Sequence, residues 1–191
     1  IGRLRDSRDN YASGILHDAG YATLLVSMLT PYEESRDPDL RYDVTLLGNR
    51  LNALLTWLDQ QPDLTGLPLG LLATGTVVAA GIRHLVREPD RISALVSRAG
   101  RPDLAGGDPL RRLSVPILLQ VPGAAQDLLK PSQQAYAHLS GNKQWHEISN
   151  ASAGFIEPGA LESITREASD WFLQHLPARP PPPATEDTPP A

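Results

Sequence analysis

The strongest constraint on this sequence is the alternation of short apolar runs with stretches of helical spacing. Runs occur at residues 22–27 (ATLLVS), Pro68 to Leu72, 92–97 (ISALVS) and 116–121 (PILLQV), with a weaker one at 144–149 (QWHEIS). Each has the length and composition of a strand buried on both faces. An amphipathic helix is expected at 8–19, stopped by Gly20. Another is expected at 42–60, where Val44, Leu47, Leu51, Leu54, Leu55 and Leu58 recur near a 3.6-residue period. Helices are also expected at 75–87, ended by Glu88-Pro89, at 129–139 and at 159–176. Residues 30–41 read as a polar, Pro-containing loop. Strands joined by helices of this length need crossover connections. The expected fold is therefore α/β: a three-layer α/β/α sandwich around a mostly parallel sheet.

At 191 residues the chain can bury the core of one domain, expected over 1–176. Residues 177–191 (PARPPPPATEDTPPA) hold seven of the 18 prolines and are expected to form a disordered tail. A polyproline II docking ligand around Arg179 to Pro183 is the other reading of that segment. Lys and Arg number 17 against 22 Asp and Glu, a formal net charge of -5. That balance opposes binding to nucleic acid or to an anionic membrane. Aromatic residues are only 5% of the chain, too sparse for a base-stacking platform. Cysteine is absent, which excludes disulfides, zinc-thiolate sites and thiol catalysis. No secretory leader is visible, so a cytoplasmic location is expected.

In an open parallel sheet, ligands bind beyond the C-terminal strand ends. Four loops matter on that rule. The first is Ala73-Thr74-Gly75-Thr76-Val77. Gly70 and Gly75 have the separation of a phosphate loop, but Thr76-Val77 replaces its Lys and hydroxyl pair. A nucleophile elbow would need a serine at the apex, which here is Gly75. The second loop, from Arg98 to Leu104, places Arg101 and Asp103 where they bind an anion or pair with each other. The third, from Pro122, carries Asp127; the fourth, from Asn150, has no histidine. His17, His84, His138 and His175 fall near helix C-termini, where the helix dipole favours them. His146 falls inside a strand. No His-Glu-x-x-His spacing exists, so neither a metal nor another cofactor is expected.

Several stretches together resemble the dienelactone-hydrolase-like group of α/β-hydrolases. They are HDAGYATLLVSMLTPYEE at 17–34, LRYDVTLLGNRLNALLTWL at 40–58, LPLGLLATG at 67–75 and VSRAGRPDLAG at 96–106. VPILLQVPG at 115–123, FIEPGALESI and DWFLQHL complete the set. The resemblance spans most of residues 5–176. It implies a serine at position 75, an aspartate at 125 and a histidine at 153. This chain has Gly75, Ala125 and Ala153 there. It also implies that the family's oxyanion loop and first strands would lie at or before Ile1, leaving a sheet edge without its N-terminal strands.

Three functional readings follow. The first is a catalytically degenerate hydrolase acting as a binding or interaction module. Its vacated pocket would take a small-molecule ligand beside Thr74, Thr76, Arg101, Asp103 and Asp127. A protein partner or a preceding domain would cover the N-terminal sheet edge. The second is an active esterase with Thr74 or Thr76 as nucleophile and Asp103 or Asp127 as the acid. The third is a remnant whose fold is merely tolerated.

Overall fold

Sequence order and spatial order coincide in the sheet: β1 (Gly70–Gly75), β2 (Ala94–Gly100), β3 (Ile117–Pro122) and β4 (Lys143–Ile148) lie side by side, all parallel. The computed structural model describes residues 7–177. The remainder of the proline-rich segment, including Arg179 to Pro183, lies outside the described residues.

The central strands explain the burial. β3 is buried at all six positions, and β2 is buried at Ala94, Leu95, Val96, Ser97 and Gly100. Their apolar runs have no polar face because helices cover both sides. On one side, α4 (Val77–Leu85) and α6 (Gln126–His138) cover Ala73, Leu95, Ile117, Leu119 and Val121. α3 (Val44–Asp59) packs outside α4 through Leu51 and Leu55. On the other side, Ala168, Trp171 and Phe172 of α7 (Ala160–His175) cover Ala94, Val96 and Leu118. α1 (Ser7–Asp18) lies against α7. The three layers expected from the sequence are all present.

The helix at 42–60 is observed as α3. Asp43 caps it, accepting from the N–H groups of Thr45 and Leu46 at 3.0 and 2.9 Å. Its Leu47, Leu51 and Leu55 are 1–5% exposed. Burial of a leucine at this level contributes about 1.5–3 kcal/mol, so this stripe fixes which face of α3 turns inward.

Two expectations need correction. Residues 22–27 do not form a strand. They form neither helix nor strand, with Leu24, Leu25 and Val26 38–51% exposed. An apolar run becomes a strand only when a neighbour completes its ladder, and no described strand pairs with it. Residues 30–41 are not an open loop either. They hold α2 (Pro31–Arg36) and a 3₁₀ turn (Pro38–Tyr42). Thr30 and Glu33 form a capping box with Pro31 at the first helical position, which satisfies the donors that begin a helix. A further short helix, α5 (Gly107–Arg112), precedes β3. Among the described residues, no helix is long and apolar enough to cross a membrane.

Candidate functional site

The chain turns sharply from β1 into α4 at Gly75 and Thr76. Gly75 has φ +54°, a left-handed conformation that glycine adopts without the penalty a side chain brings. A Cβ built there would meet nothing within 4 Å. The position therefore has the backbone of a nucleophile turn, and space above it, without a reacting atom. Thr74 is exposed beside it, whereas Thr76 is only 6% exposed and stands at the N-cap of α4 without a capping side-chain bond.

The neighbouring turn is shaped by close packing. Gly75 pairs with Gly100 across a bulge, and the Gly75 carbonyl accepts from Arg101 N–H at 2.9 Å. A Cβ on Gly100 would lie 2.5 Å from Val78 Cγ2 and still closer to Ser97 Oγ. The preceding Ala99 has φ +47°, an uncommon conformation for a residue with a side chain. It packs with Ala151, Phe155 and Ile148, and so ties the end of β2 to the loop after β4. Sequence reasoning missed both residues; the Ala-Gly pair at the end of an apolar run was the available signal.

Arg101 and Asp103 pair with one another. Arg101 donates from Nε to Oδ1 at 2.8 Å and from Nη2 to Oδ2 at 2.7 Å. This bidentate contact holds the guanidinium pKa above its ordinary value, against partial burial; charges on Asp103, Tyr42 and Asp127 act in the same direction. Of the two sequence options for this loop, the internal pair is the one observed. The loop is braced from below by Arg83, which donates to the carbonyls of Leu104 and Ala105 at 3.0 Å each.

The loops after β3 and β4 are bonded together. Gly123 N–H donates to the Ile148 carbonyl at 2.9 Å, and Ala124 N–H to the Ala151 carbonyl at 3.1 Å. Ala125 is half-buried and begins α6 as an N-cap without an acceptor side chain. Asp127 is exposed in the first turn of that helix. Ala153 is exposed on the β4 loop. Just beyond it, Glu157 accepts from Ser152 N–H at 2.8 Å, which lowers its pKa. The four loops named from the sequence thus lie at the C-terminal ends of the four strands.

The histidines are engaged elsewhere. His17 contacts Thr23 Oγ1 at 2.7 Å, and His138 contacts the Gln134 carbonyl at 2.8 Å. His84 lies 3.9 Å from Glu88, His146 lies 2.5 Å from Glu167, and the His175 ring meets Trp171 at 4.1 Å between centroids, tilted by 58°. Among the described residues, no three His, Asp or Glu side chains are grouped so as to hold a metal ion. Hollows of about 380 and 290 Å³ are present, the first beside the loop after β4 and the second beside the starts of β1 and β2. The larger is lined by Arg8, Tyr11, Phe155, Ile156, Glu157 and Leu161 among others. Neither is lined by Thr74, Thr76, Arg101, Asp103 or Asp127.

No family model matches the chain. Two proteins of Mycobacterium tuberculosis described as putative phosphoribosyl transferases are 40% identical to it over 169 residues, covering 88% of this chain. The chain spans only 38% of the length of these curated relatives. Among solved structures, a dienelactone hydrolase of Anabaena variabilis is 35% identical, with a TM-score of 0.82 over 91% of this chain and 81% of that one. An esterase domain of Rhodothermus marinus shares the fold at 13% identity, with a TM-score of 0.68 over 88% and 80% of the two chains. A dienelactone hydrolase-like promiscuous phosphotriesterase from metagenomic libraries does so at 16% identity and 0.64, over 90% and 82%. The parallel sheet, the glycine turn at its first strand and the likeness to the Anabaena enzyme together show that the chain belongs to the dienelactone hydrolase family of α/β-hydrolases.

Proposed function

We propose that this chain is a catalytically degenerate dienelactone-hydrolase-like domain that works as a binding or interaction module. The observation that carries the reading is Gly75: the turn keeps its left-handed backbone and free space, but has no side chain to attack a carbonyl. Ala125 and Ala153 leave the acid and base positions without function as well. A small ligand would enter the crevice over the turn, with Thr74 and the Arg101–Asp103 pair as its polar contacts. Thr76 and Asp127 stand at the first turns of α4 and α6 on the same side of the sheet. Phosphoribosyl transfer is named for relatives more than twice this length, of which this chain spans 38%, and it is not carried over to this chain.

The competing reading, an esterase with Thr74 or Thr76 as nucleophile, has one observation in its favour, the exposed Thr74 hydroxyl at the strand end. It lacks a base, since all five histidines lie off the four loops. Hydrolysis of a short-chain nitrophenyl ester by wild type and by a Thr74→Ala/Thr76→Ala variant separates the two. The degenerate reading expects buffer-level rates in both. Activity in wild type that disappears in the variant would overturn it.

A further inference from the structure

The end of α7 delivers the chain to a hollow. Leu176 N–H donates to the Phe172 carbonyl at 2.8 Å and closes the helix. Pro177, the next residue, lines the hollow of about 290 Å³ beside the starts of β1 and β2. Leu67, Pro68 and Leu69, which lead into β1, supply its apolar surface. All three are half-buried, and Leu69 packs on the core beneath. The Leu69 carbonyl accepts from Ser93 N–H at 2.8 Å, so the two strand starts that flank the hollow are bonded together. Two charged residues complete the lining. Arg91 is engaged, with Nη2 2.5 Å from Asp59 Oδ1. Asp90 is exposed, and among the described residues nothing pairs with its carboxylate. The hollow thus offers apolar surface together with one uncompensated negative charge.

We propose that residues 178–183 of this same chain dock in that hollow, with prolyl rings against Leu67, Pro68 and Leu69 and Arg179 on Asp90. The sequence after Pro177 matches both features of the lining. It reads Ala178-Arg179-Pro180-Pro181-Pro182-Pro183. Proline has no N–H, so a run of four can lie on an apolar wall without leaving a donor unpaired. Such a run also favours the polyproline II conformation, which lowers the ordering cost of docking. Arg179 is the one basic residue after Pro177. It stands two residues beyond that wall, a span of about 7 Å at full extension, and its side chain adds further reach towards Asp90 across the same hollow. Attachment at Pro177 selects this occupant over a proline-rich segment from elsewhere, because so short a tether sets an effective concentration of about millimolar. The hollow lies at the opposite end of β1 from Gly75, so the proposal is independent of what the crevice binds and of whether it hydrolyses esters.

The test is NMR on the full 191-residue protein at low salt, where an exposed ion pair is least screened. Docking predicts backbone order parameters for Ala178 and Arg179 of about 0.85, against below about 0.6 for an undocked chain. It also predicts nuclear Overhauser contacts from the rings of Pro180 to Pro183 to the methyl groups of Leu67 and Leu69. Arg179→Glu and Asp90→Lys should each lower the order parameters and remove the contacts, and the two changes together should restore both. Four results would overturn the proposal. They are low order parameters without contacts in the wild type, signals that survive both single charge reversals, a double variant that does not recover, and contacts that appear only between molecules in an isotope-filtered mixture. The last would assign the segment to the hollow of a second copy.

Discussion

Gly75 and Gly100 face each other across β1 and β2, and only Gly75 has room for a side chain. Gly75→Ala therefore meets no atoms and costs only the left-handed backbone penalty, about 1 kcal/mol. Gly100→Ala drives a methyl into the buried Val78 and Ser97 side chains, and overpacking of that kind costs up to about 3 kcal/mol. Urea denaturation of the two variants checks the order. Equal losses, or a larger loss for Gly75→Ala, would contradict the packing described for this turn.

Ala125 occupies the N-cap of α6 without an acceptor. Ala125→Asp supplies one for the open N–H groups of the first turn, and the variant is expected to gain about 1 kcal/mol. The same change restores the acid of the family pattern. Combined with Gly75→Ser and Ala153→His, it should raise nitrophenyl acetate hydrolysis by ~10²-fold or more over wild type. Returning residue 75 to glycine in that background should abolish the gain. A triple variant that folds and stays at the wild-type rate would mean that the loops no longer hold the three positions in register.

How much of this could be read in the sequence depended on whether a signal was local. Leu47, Leu51 and Leu55 are legible because a helix buries whatever recurs at its own period. Leu95, Val96, Leu118 and Leu119 are legible because central strands of a parallel sheet are apolar on both faces. Leu24 to Val26 carry the same composition but are not a strand, since pairing depends on a neighbour that the run itself does not encode. Thr30-Pro31-Tyr32-Glu33 was a readable helix start, masked by the polar character of the stretch around it. At the site, the family pattern pointed to positions 75, 125 and 153 as an expectation, and the Arg101–Asp103 pair was legible from its spacing. The left-handed Ala99 and the bracing by Arg83 were not, because both depend on contacts with distant residues.

Asp9 and Arg98 join α1 to β2. The Arg98 side chain is 13% exposed, and its Nη2 lies 2.5 Å from Asp9 Oδ1. Asp9→Asn leaves that guanidinium largely buried without its counter-charge, at an expected cost of about 1–2 kcal/mol. Because α1 leans on α7 rather than on the sheet, its loosening should show locally before the protein unfolds. Limited proteolysis checks this: cleavage near Gly20 should accelerate in Asp9→Asn while cleavage within β3 does not. Uniform acceleration at both places would mean that the bridge supports the whole fold rather than α1.

Glu33 links α2 to α3, and its pH dependence has a definite sign. Arg50 donates to the Glu33 carboxylate through Nη1 at 3.0 Å and also through Nη2, while Thr30 adds backbone and side-chain bonds. These contacts, Arg50 foremost, lower the Glu33 pKa to about 2. A carboxyl depressed in the folded state binds its proton more readily when unfolded. Its contribution is therefore fully present above the unfolded value of about 4.3 and is lost as the pH falls towards about 2. Glu33→Gln should lower the melting temperature at pH 7, and the difference from wild type should shrink between those two pH values. Arg50→Gln should behave similarly, with an additional loss at every pH because Arg50 also donates to the Met28 carbonyl at 2.5 Å. Melting curves for the three proteins from pH 7 down to pH 2 decide it, and a Glu33→Gln deficit that does not change with pH would place the effect in packing instead of charge.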